Sequence, residues 1–302
     1  MLTDSLPLAP GLYLVATPIG NLGDITLRAL DVLKRVDRIA CEDTRQTQKL
    51  LNHYQIDTPT ESLHEHNEHE RTPLLIEALK AGKRIAVVTD AGMPGISDPG
   101  ALLTAAAVNA GIPVIPIPGA NAALSAVVAS GLPSGAFTYL GFLPEKAGQR
   151  RTRLEQIAAQ SPDAPRTMIF YEAPHRIAET LADLEAVFGP GLRIAVAREL
   201  TKVHEEFLRG AVAEVRQQIA SRDRIRGEMT VVIELPESGQ GMTVVPGKTI
   251  GDQVAWLQAE FGVDEKEALK RLAREMNRSK SEVYRELQRE RAGQRRRSTS
   301  AG

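Results

Sequence analysis

Along the first 235 residues, short apolar runs alternate with stretches in which apolar residues recur every three or four positions. The runs at 12–16, 38–41, 84–89 and 113–117 read as strands. Residues 26–33 carry Leu27, Leu30 and Leu33 at the spacing of one helix face, with Thr26 placed as a cap. Further helices are expected over 44–52, 71–81 and 101–110, followed by a small-residue helix that ends near 130. Strands and helices alternating at this spacing predict an α/β fold with a mainly parallel sheet covered on both faces. Gly131-Leu-Pro-Ser-Gly135 reads as a crossing, after which the alternation restarts. Strands are expected at 137–143, 167–171, 192–197 and 228–235, with an antiparallel one at 205–209. Helices are expected over 146–160, up to 187, and over 211–220.

The pattern changes beyond residue 236, where Gly, Ser and Pro accumulate. Three helical stretches follow, at 249–261, 265–276 and 279–290. Asn277-Arg-Ser279 resembles a helix-turn-helix joint, and Ser279 with Glu282 has the spacing of a capping box. The expected organisation is an N-terminal α/β domain with glycine loops (1–122) and a second α/β domain on the substrate side (123–236). A linker (237–248), a helical, helix-turn-helix-like module (249–292) and a disordered basic tail (293–302) complete it.

Charge sharpens that division. The chain has a formal net charge of −1, yet from Lys266 onward Lys and Arg exceed Glu by seven. A basic end on an acidic body points to nucleic acid contact, against the alternative of a merely solvated face. A single cysteine, Cys41, excludes an internal disulfide framework and a cysteine-based zinc site. With no leader pattern at the N-terminus and no run of about 18 apolar residues, the expectation is a reduced, cytoplasmic protein that meets no membrane.

Candidate chemistry gathers where strands end. Gly/Pro-rich loops follow three strands of the first half, at 17–24, 90–100 and 118–122. The densest is Thr89-Asp-Ala-Gly-Met-Pro-Gly-Ile-Ser-Asp-Pro-Gly100. In an open α/β sheet, loops at the carboxyl ends of strands are where ligands bind. None of the three is a GxGxxG or GxxxxGK[ST] motif, so neither a dinucleotide nor a P-loop triphosphate is supported. His64, His66 and His69 lack the spacing of a helical HExxH and have no second cluster, so no metal is expected and a polar loop is the reading. Polar groups close four further strand ends. Lys202, Glu42, Glu172 and Glu199 are the candidate proton acceptors. Arg45, Arg176 and Arg198 suit phosphate.

These residues carry a resemblance. Leu14-Val-Ala-Thr-Pro-Ile-Gly-Asn-Leu-Gly-Asp24, the loop at 89–100 and Ile117-Pro-Gly-Ala-Asn-Ala122 resemble, in order, the three glycine loops of the tetrapyrrole (corrin/porphyrin) methylase superfamily. Cys41-Glu-Asp-Thr-Arg45, Leu63-His-Glu-His-Asn-Glu68, Phe170-Tyr-Glu-Ala-Pro-His-Arg176 and Arg198-Glu-Leu-Thr-Lys202 are similar to its ribosomal RNA (cytidine-2′-O)-methyltransferase branch. The resemblance covers about residues 10–235, and the helical module also fits that branch.

It implies a two-domain fold with S-adenosylmethionine in the cleft between the domains. It also implies a homodimer, and an acceptor cytidine ribose of 16S rRNA in the decoding centre of the small ribosomal subunit. DNA, which lacks the 2′-hydroxyl, is not an expected partner. The cofactor role carries over to Pro18, Gly20 and Asn21, to Asp90, Ala91, Gly92, Ile96 and Ser97, and to Gly119, Ala120 and Ala122. Across the cleft, Tyr171 and the strand beginning at Met229 are the candidates. Lys202, if burial lowers its pKa, is the first choice of base, followed by Glu172 or Glu42. Arg45, His175, Arg176 and Arg198 are the expected RNA contacts. Two rivals stand beside this reading: a porphyrin-precursor C-methyltransferase, and a non-catalytic ribosome-associated RNA-binding protein. The basic helical appendage weighs against the first and the intact glycine loops against the second.

Overall fold

The computed structural model describes residues 7–159, 164–236, 249–261, 263–276 and 278–299. The first half is a five-stranded sheet, all parallel, of β1 (Gly11–Val15), β2 (Arg38–Cys41), β3 (Thr60–Ser62), β4 (Arg84–Val88) and β5 (Val114–Ile117) in the order β3-β2-β4-β1-β5. Alternate residues of each strand point to opposite faces, and the burial follows this. Ala86 and Val88 pack with Ala29, Val32 and Leu33 of α1 (Leu27–Arg35) and Leu51 of α2 (Thr44–His53). Ile85 and Val87 pack on the other face, with Leu75 and Leu79 of α3 (Glu68–Lys80) and Leu103 of α4 (Ala101–Asn109). Thr26 caps α1 as expected, its Oγ1 accepting from Ala29 N at 3.1 Å. Two details differ from the sequence reading. The three-residue edge strand β3 has no apolar run to announce it. α3 starts one turn before Arg71, because Asn67 Oδ1 accepts from His64 N at 2.8 Å and turns the chain into the helix.

The second sheet is mixed. It comprises β6 (Phe137–Phe142), β7 (Thr167–Glu172), β8 (Arg193–Arg198), β9 (Glu206–Ala211) and β10 (Met229–Glu234), in the order β6-β7-β10-β8-β9. β6 and β7 are parallel, while β10 runs antiparallel to both β7 and β8, and β9 antiparallel to β8. One face packs on α6 (Ala147–Ala158), α7 (Ile177–Phe188) and α8 (Val212–Ala220). The opposite face is covered by Ala123, Ala126 and Val127 of α5 (Ala122–Ser130), which meet Ile169, Ala195, Ala197 and Val232. Although α5 directly follows the last strand of the first sheet, it serves the second.

Three helices, α9 (Ile250–Phe261), α10 (Glu265–Glu275) and α11 (Lys280–Thr299), share a separate apolar core that includes Val254, Leu257, Leu269, Leu272, Val283 and Leu287. Glu290 of α11 accepts from Ile250 N at 3.0 Å and Gly251 N at 2.8 Å, closing the start of α9. The capping box is present: Glu282 Oε2 accepts from Ser279 N at 2.8 Å. α11 continues to Thr299, past residue 293, where the expected disordered tail begins. Gln and Arg are good helix formers, so the helix propagates once α11 is docked. The expected linker at 237–248 lies outside the described residues, as do residues 300–302. No helix among the described residues is long and apolar enough to cross a membrane.

Candidate active site

The two sheets meet around a cavity of about 350 Å³. Its first-sheet wall is built from Ile19 and from the loop after β4, through Ala91, Gly92, Met93, Ile96, Ser97 and Asp98. Asn121 and Ala122, at the start of α5, form its floor. The opposite wall comes from the ends of β6, β7, β8 and β10: Phe142, Tyr171 to Pro174, Ala197, Glu199, Leu200, Lys202 and Glu228 to Thr230.

The loops that form it are tied together by backbone. Thr17 N donates to Gly92 O at 2.9 Å and Gly92 N to Thr17 O at 3.1 Å, while Thr17 Oγ1 donates to Thr89 O at 3.0 Å. Gly92 sits at φ +83°, in the left-handed region that a side chain disfavours. Gly20 serves by close approach instead: a Cβ there would lie 2.4 Å from Lys202 Cγ. Gly119 likewise lets its loop pass Ala16, whose Cβ is 2.9 Å from where a side chain would start.

The far end of the second loop is held by a buried carboxylate. Glu68 Oε1 accepts from Gly100 N, Leu102 N and Leu103 N at 3.0, 3.1 and 3.2 Å, supplying the cap that Gly100 lacks at the start of α4. The polar stretch around His64 is thus the support of the second loop. Among the described residues no group of His, Cys, Asp and Glu could hold a metal ion.

Two non-glycine residues lining the cavity adopt positive φ, Ser97 at 62° and Glu199 at 52°, as does Thr201 at 66° between the lining residues Leu200 and Lys202. Such conformations cost roughly 1–3 kcal/mol each and persist where the surroundings over-determine them. Around them the charged groups separate into paired and unpaired. Lys202 Nζ donates to Glu199 Oε1 at 2.8 Å and Glu228 Oε2 at 3.2 Å. Burial works to lower the Lys202 pKa, but these two carboxylates outweigh it and the net shift is upward. Lys202 is therefore held as an ammonium, against the expectation of a base with a lowered pKa.

Glu172 is also engaged. Its carboxylate accepts from Ala173 N at 2.8 Å and Thr180 Oγ1 at 2.6 Å, and lies 3.2 Å from Arg176 Nε. Glu42 does not line the cavity. Its pKa is pushed up by burial and by Asp90. Asp98 does line it, and no hydrogen bond or ion pair from any described residue reaches its carboxylate. Burial, with the charges of Glu42 and Asp90, raises it to about 7. Opposite stand three aromatic rings. Tyr171 packs edge-on between Tyr139 and Phe142, at centroid distances of 5.3 and 5.6 Å, and Tyr139 Oη is 2.7 Å from Ser97 Oγ. Burial raises both tyrosine hydroxyls.

Of the residues expected to hold a cofactor, Ala91, Gly92, Ile96, Ser97, Ala122, Tyr171 and Met229 line the cavity. Pro18, Gly20, Asn21, Asp90, Gly119 and Ala120 do not line it. Asn21 Oδ1 caps its own turn through Gly23 N at 3.0 Å, and Asp90 Oδ1 accepts from Asp43 N at 3.3 Å.

The expected RNA contacts divide. Arg45 and His175 are exposed, the former bonded to Asp43 of its own turn. Arg176 is built into the protein, donating to Leu143 O at 2.7 Å and Pro144 O at 3.3 Å beside its ion pair with Glu172. Arg198 is bonded to Glu206 at 2.9 Å and Arg226 O at 3.1 Å. Neither offers a free guanidinium to a phosphate, contrary to expectation. Sequence reasoning passed over Asp98 and Asn121, although both lie within its own loops. Asp98 carries no signal beyond Asp-Pro-Gly, an ordinary turn. Its distinction comes from charges that the fold brings beside it.

The family model described as Tetrapyrrole (Corrin/Porphyrin) Methylases matches residues 11–216 of this chain. The chain is 45% identical over 278 residues to a protein of Halalkalibacterium halodurans named Ribosomal RNA small subunit methyltransferase I, across 90% of this chain and 93% of that protein. A Bacillus subtilis protein of the same name is 46% identical over 279 residues, across 90% and 92%. Among solved structures, the uroporphyrin-III C-methyltransferase from Thermus thermophilus complexed with S-adenyl homocysteine matches at a TM-score of 0.50. It is 18% identical and covers 74% of this chain and 97% of that one. At that identity the likeness concerns the fold.

Proposed function

The chain belongs to the tetrapyrrole (corrin/porphyrin) methylase family, and from that premise we propose that it methylates ribosomal RNA of the small subunit with S-adenosylmethionine. The acceptor in this reading is the 2′-oxygen of a cytidine ribose in 16S rRNA, and the enzyme acts as a cytoplasmic homodimer. The two sheets are read as two domains with the cofactor between them. The observation that carries the reading is 45–46% identity to ribosomal RNA methyltransferases across 90% of the chain, over a cavity whose chemistry suits the cofactor.

That fit rests on the lining residues. At about 350 Å³ the cavity falls within the roughly 300–1,000 Å³ of small-molecule sites. Its apolar side chains, Ile19, Met93, Leu200 and Met229, suit an adenosyl group. Glu172, Glu199 and Glu228 against the one ammonium of Lys202 give the lining a negative balance, which suits a sulfonium cation. When bound, S-adenosylmethionine supplies the activated methyl group. The protein supplies position, and holding two reactants in line can account for roughly 7–11 kcal/mol of a barrier. Ala91, Gly92, Ile96, Ser97, Ala122, Tyr171 and Met229 would hold the cofactor, and the backbone ties between the loops keep them in place. Lys202, fixed between Glu199 and Glu228, orders the second-domain rim. RNA affinity then falls to Arg45, His175 and the basic C-terminal module, since phosphate contacts supply sequence-independent binding.

The test is transfer of label from methyl-tritiated S-adenosylmethionine to assembled small subunits, naked 16S rRNA, uroporphyrinogen or no acceptor. Label is expected in subunit RNA and is expected to be recovered, after nuclease digestion, as 2′-O-methylcytidine. Label in uroporphyrinogen alone would favour the porphyrin-precursor reading and overturn this one. Tight subunit binding without transfer would favour a non-catalytic role.

A further inference from the structure

Three acidic side chains gather at the first-sheet side of the cavity from two strand ends. Glu42 follows β2, Asp90 follows β4, and Asp98 lies at the far end of the same loop. Only Asp98 lines the cavity. It is also the only one of its ionisable lining groups, Asp98, Glu172, Glu199, Lys202 and Glu228 with Tyr171, whose polar atoms no described residue engages. Glu172 accepts from Ala173 N and Thr180 Oγ1, and Lys202 bridges Glu199 and Glu228. Tyr171 interacts with Tyr139 and the backbone of Ala123. A carboxylate left unpartnered in a half-buried wall, beside two other carboxylates, has oxygens available to a ligand.

Resting on the reading above, in which a ribose hydroxyl is methylated, we propose that Asp98 is the catalytic residue that accepts the proton of that hydroxyl. As the new oxygen–carbon bond forms, the sulfur–methyl bond breaks and its electron pair stays on sulfur. The sulfonium becomes a neutral thioether, and the hydroxyl proton passes to an Asp98 carboxylate oxygen and afterwards to solvent. Every charge balances without a further reactant. The groups facing Asp98 fit the task. Glu42 and Asp90 on the first-sheet side disfavour a third negative charge, and Tyr139 of β6 and Tyr171 of β7 across the cavity are neutral. No protein cation among these neighbours offsets the effect, so in the ligand-free protein Asp98 stays protonated to about pH 7, and a sulfonium beside it favours the ionised base. A base is most effective when its pKa lies near the working pH.

Asp98→Asn, Asp98→Glu and Glu42→Gln in the full chain test this. Cofactor affinity is read by calorimetry, single-turnover methyl transfer to small subunits is read across pH, and the γ-carboxyl of 13C-labelled aspartate is read by NMR. Asp98→Asn is expected to lower transfer by about 10²-fold or more while leaving cofactor affinity within a few-fold. Asp98→Glu is expected to restore part of the rate. Glu42→Gln, which removes a neighbouring charge, is expected to move the acidic limb of the pH profile to lower pH. The NMR signal lost in Asp98→Asn is expected to titrate well above the ordinary carboxylate range. Transfer by Asp98→Asn within a few-fold of wild type would overturn the proposal. So would a loss of cofactor affinity matching the loss of rate, which would make Asp98 a cofactor ligand, or a titration in the ordinary range. Wild-type protein that labels no subunit RNA would remove the proposed function and this inference with it. Labelling by wild type and Asp98→Asn alike removes the inference alone.

Discussion

At Gly20 the absence of a side chain is what lets Lys202 reach its place between Glu199 and Glu228. A methyl group there would lie 2.4 Å from Lys202 Cγ and 3.0 Å from its Cε. Gly20→Ala is therefore expected to displace the lysine and weaken cofactor binding several-fold, as read by calorimetry. The melting temperature should change little, because Gly20 is exposed and its φ is not in the left-handed region. Asp98 predicts the reverse balance. Its carboxyl titrates near 4 when unfolded and at about 7 in the folded protein. Between those values the folded state holds a proton that the unfolded state has released, so stability falls as pH rises through the window. Above pH 7 the whole penalty stands. Asp98→Asn is expected to melt higher than wild type at pH 8, with the difference vanishing towards pH 4. Equal melting at pH 8 would contradict the raised value. A gain in stability from removing a group at the site is the trade expected where function requires a disfavoured charge.

At the scale of elements, the loop between β4 and α4 depends on a residue from α3. Glu68 receives three backbone N–H groups at the start of α4, where Gly100, at φ +113°, offers no side chain. Glu68→Ala would leave those donors without their acceptor in a buried setting. About 1–3 kcal/mol of stability should be lost, measured by urea unfolding, and cofactor affinity should fall with it because the loop carries Ile96 and Ser97. The elements themselves were largely legible from periodicity: strands at 38–41, 84–89 and 113–117, and the Thr26-capped helix, follow from apolar spacing alone. β3 was not legible, since three residues with polar Glu61 and Ser62 form a strand only because β2 offers an edge. Nor was the service of Glu68, because a carboxylate in a His/Glu-rich stretch reads as surface until the fold carries it to a helix start 32 residues away.

At the scale of the whole molecule, the helical module has its own core and meets the second sheet's layer through Lys270 of α10, whose Nζ lies 3.1 Å from Glu155 of α6. A surface pair of this kind contributes little to stability. Removal of residues 249–302 is expected to leave cofactor affinity unchanged and to weaken binding to small subunits. The slope of log affinity against log salt should become shallower, by roughly 0.7–0.9 for each phosphate that the module had neutralised. A parallel fall in cofactor affinity would make the module part of the catalytic fold instead. Arg176 and Arg198 show why RNA-binding residues are harder to read than glycine loops: a guanidinium beside a strand end looks the same in sequence whether it faces a phosphate or, as here, Glu172 and Glu206.

The alternation of strands and helices, the three loops that close one end of the first sheet and the basic cast of the C-terminal end are all written in the order of residues alone. Those features depend on neighbours along the chain: apolar period, turn residues and local charge. The tertiary structure decided which side chains are free to act. Whether a lysine is an ammonium or a base, an arginine a ligand or a strut, or an aspartate ordinary or proton-binding at neutral pH depends on what the fold places around it. For Asp98 the charges that raise it are those of Asp90, in its own loop, and of Glu42, some fifty residues away in the chain.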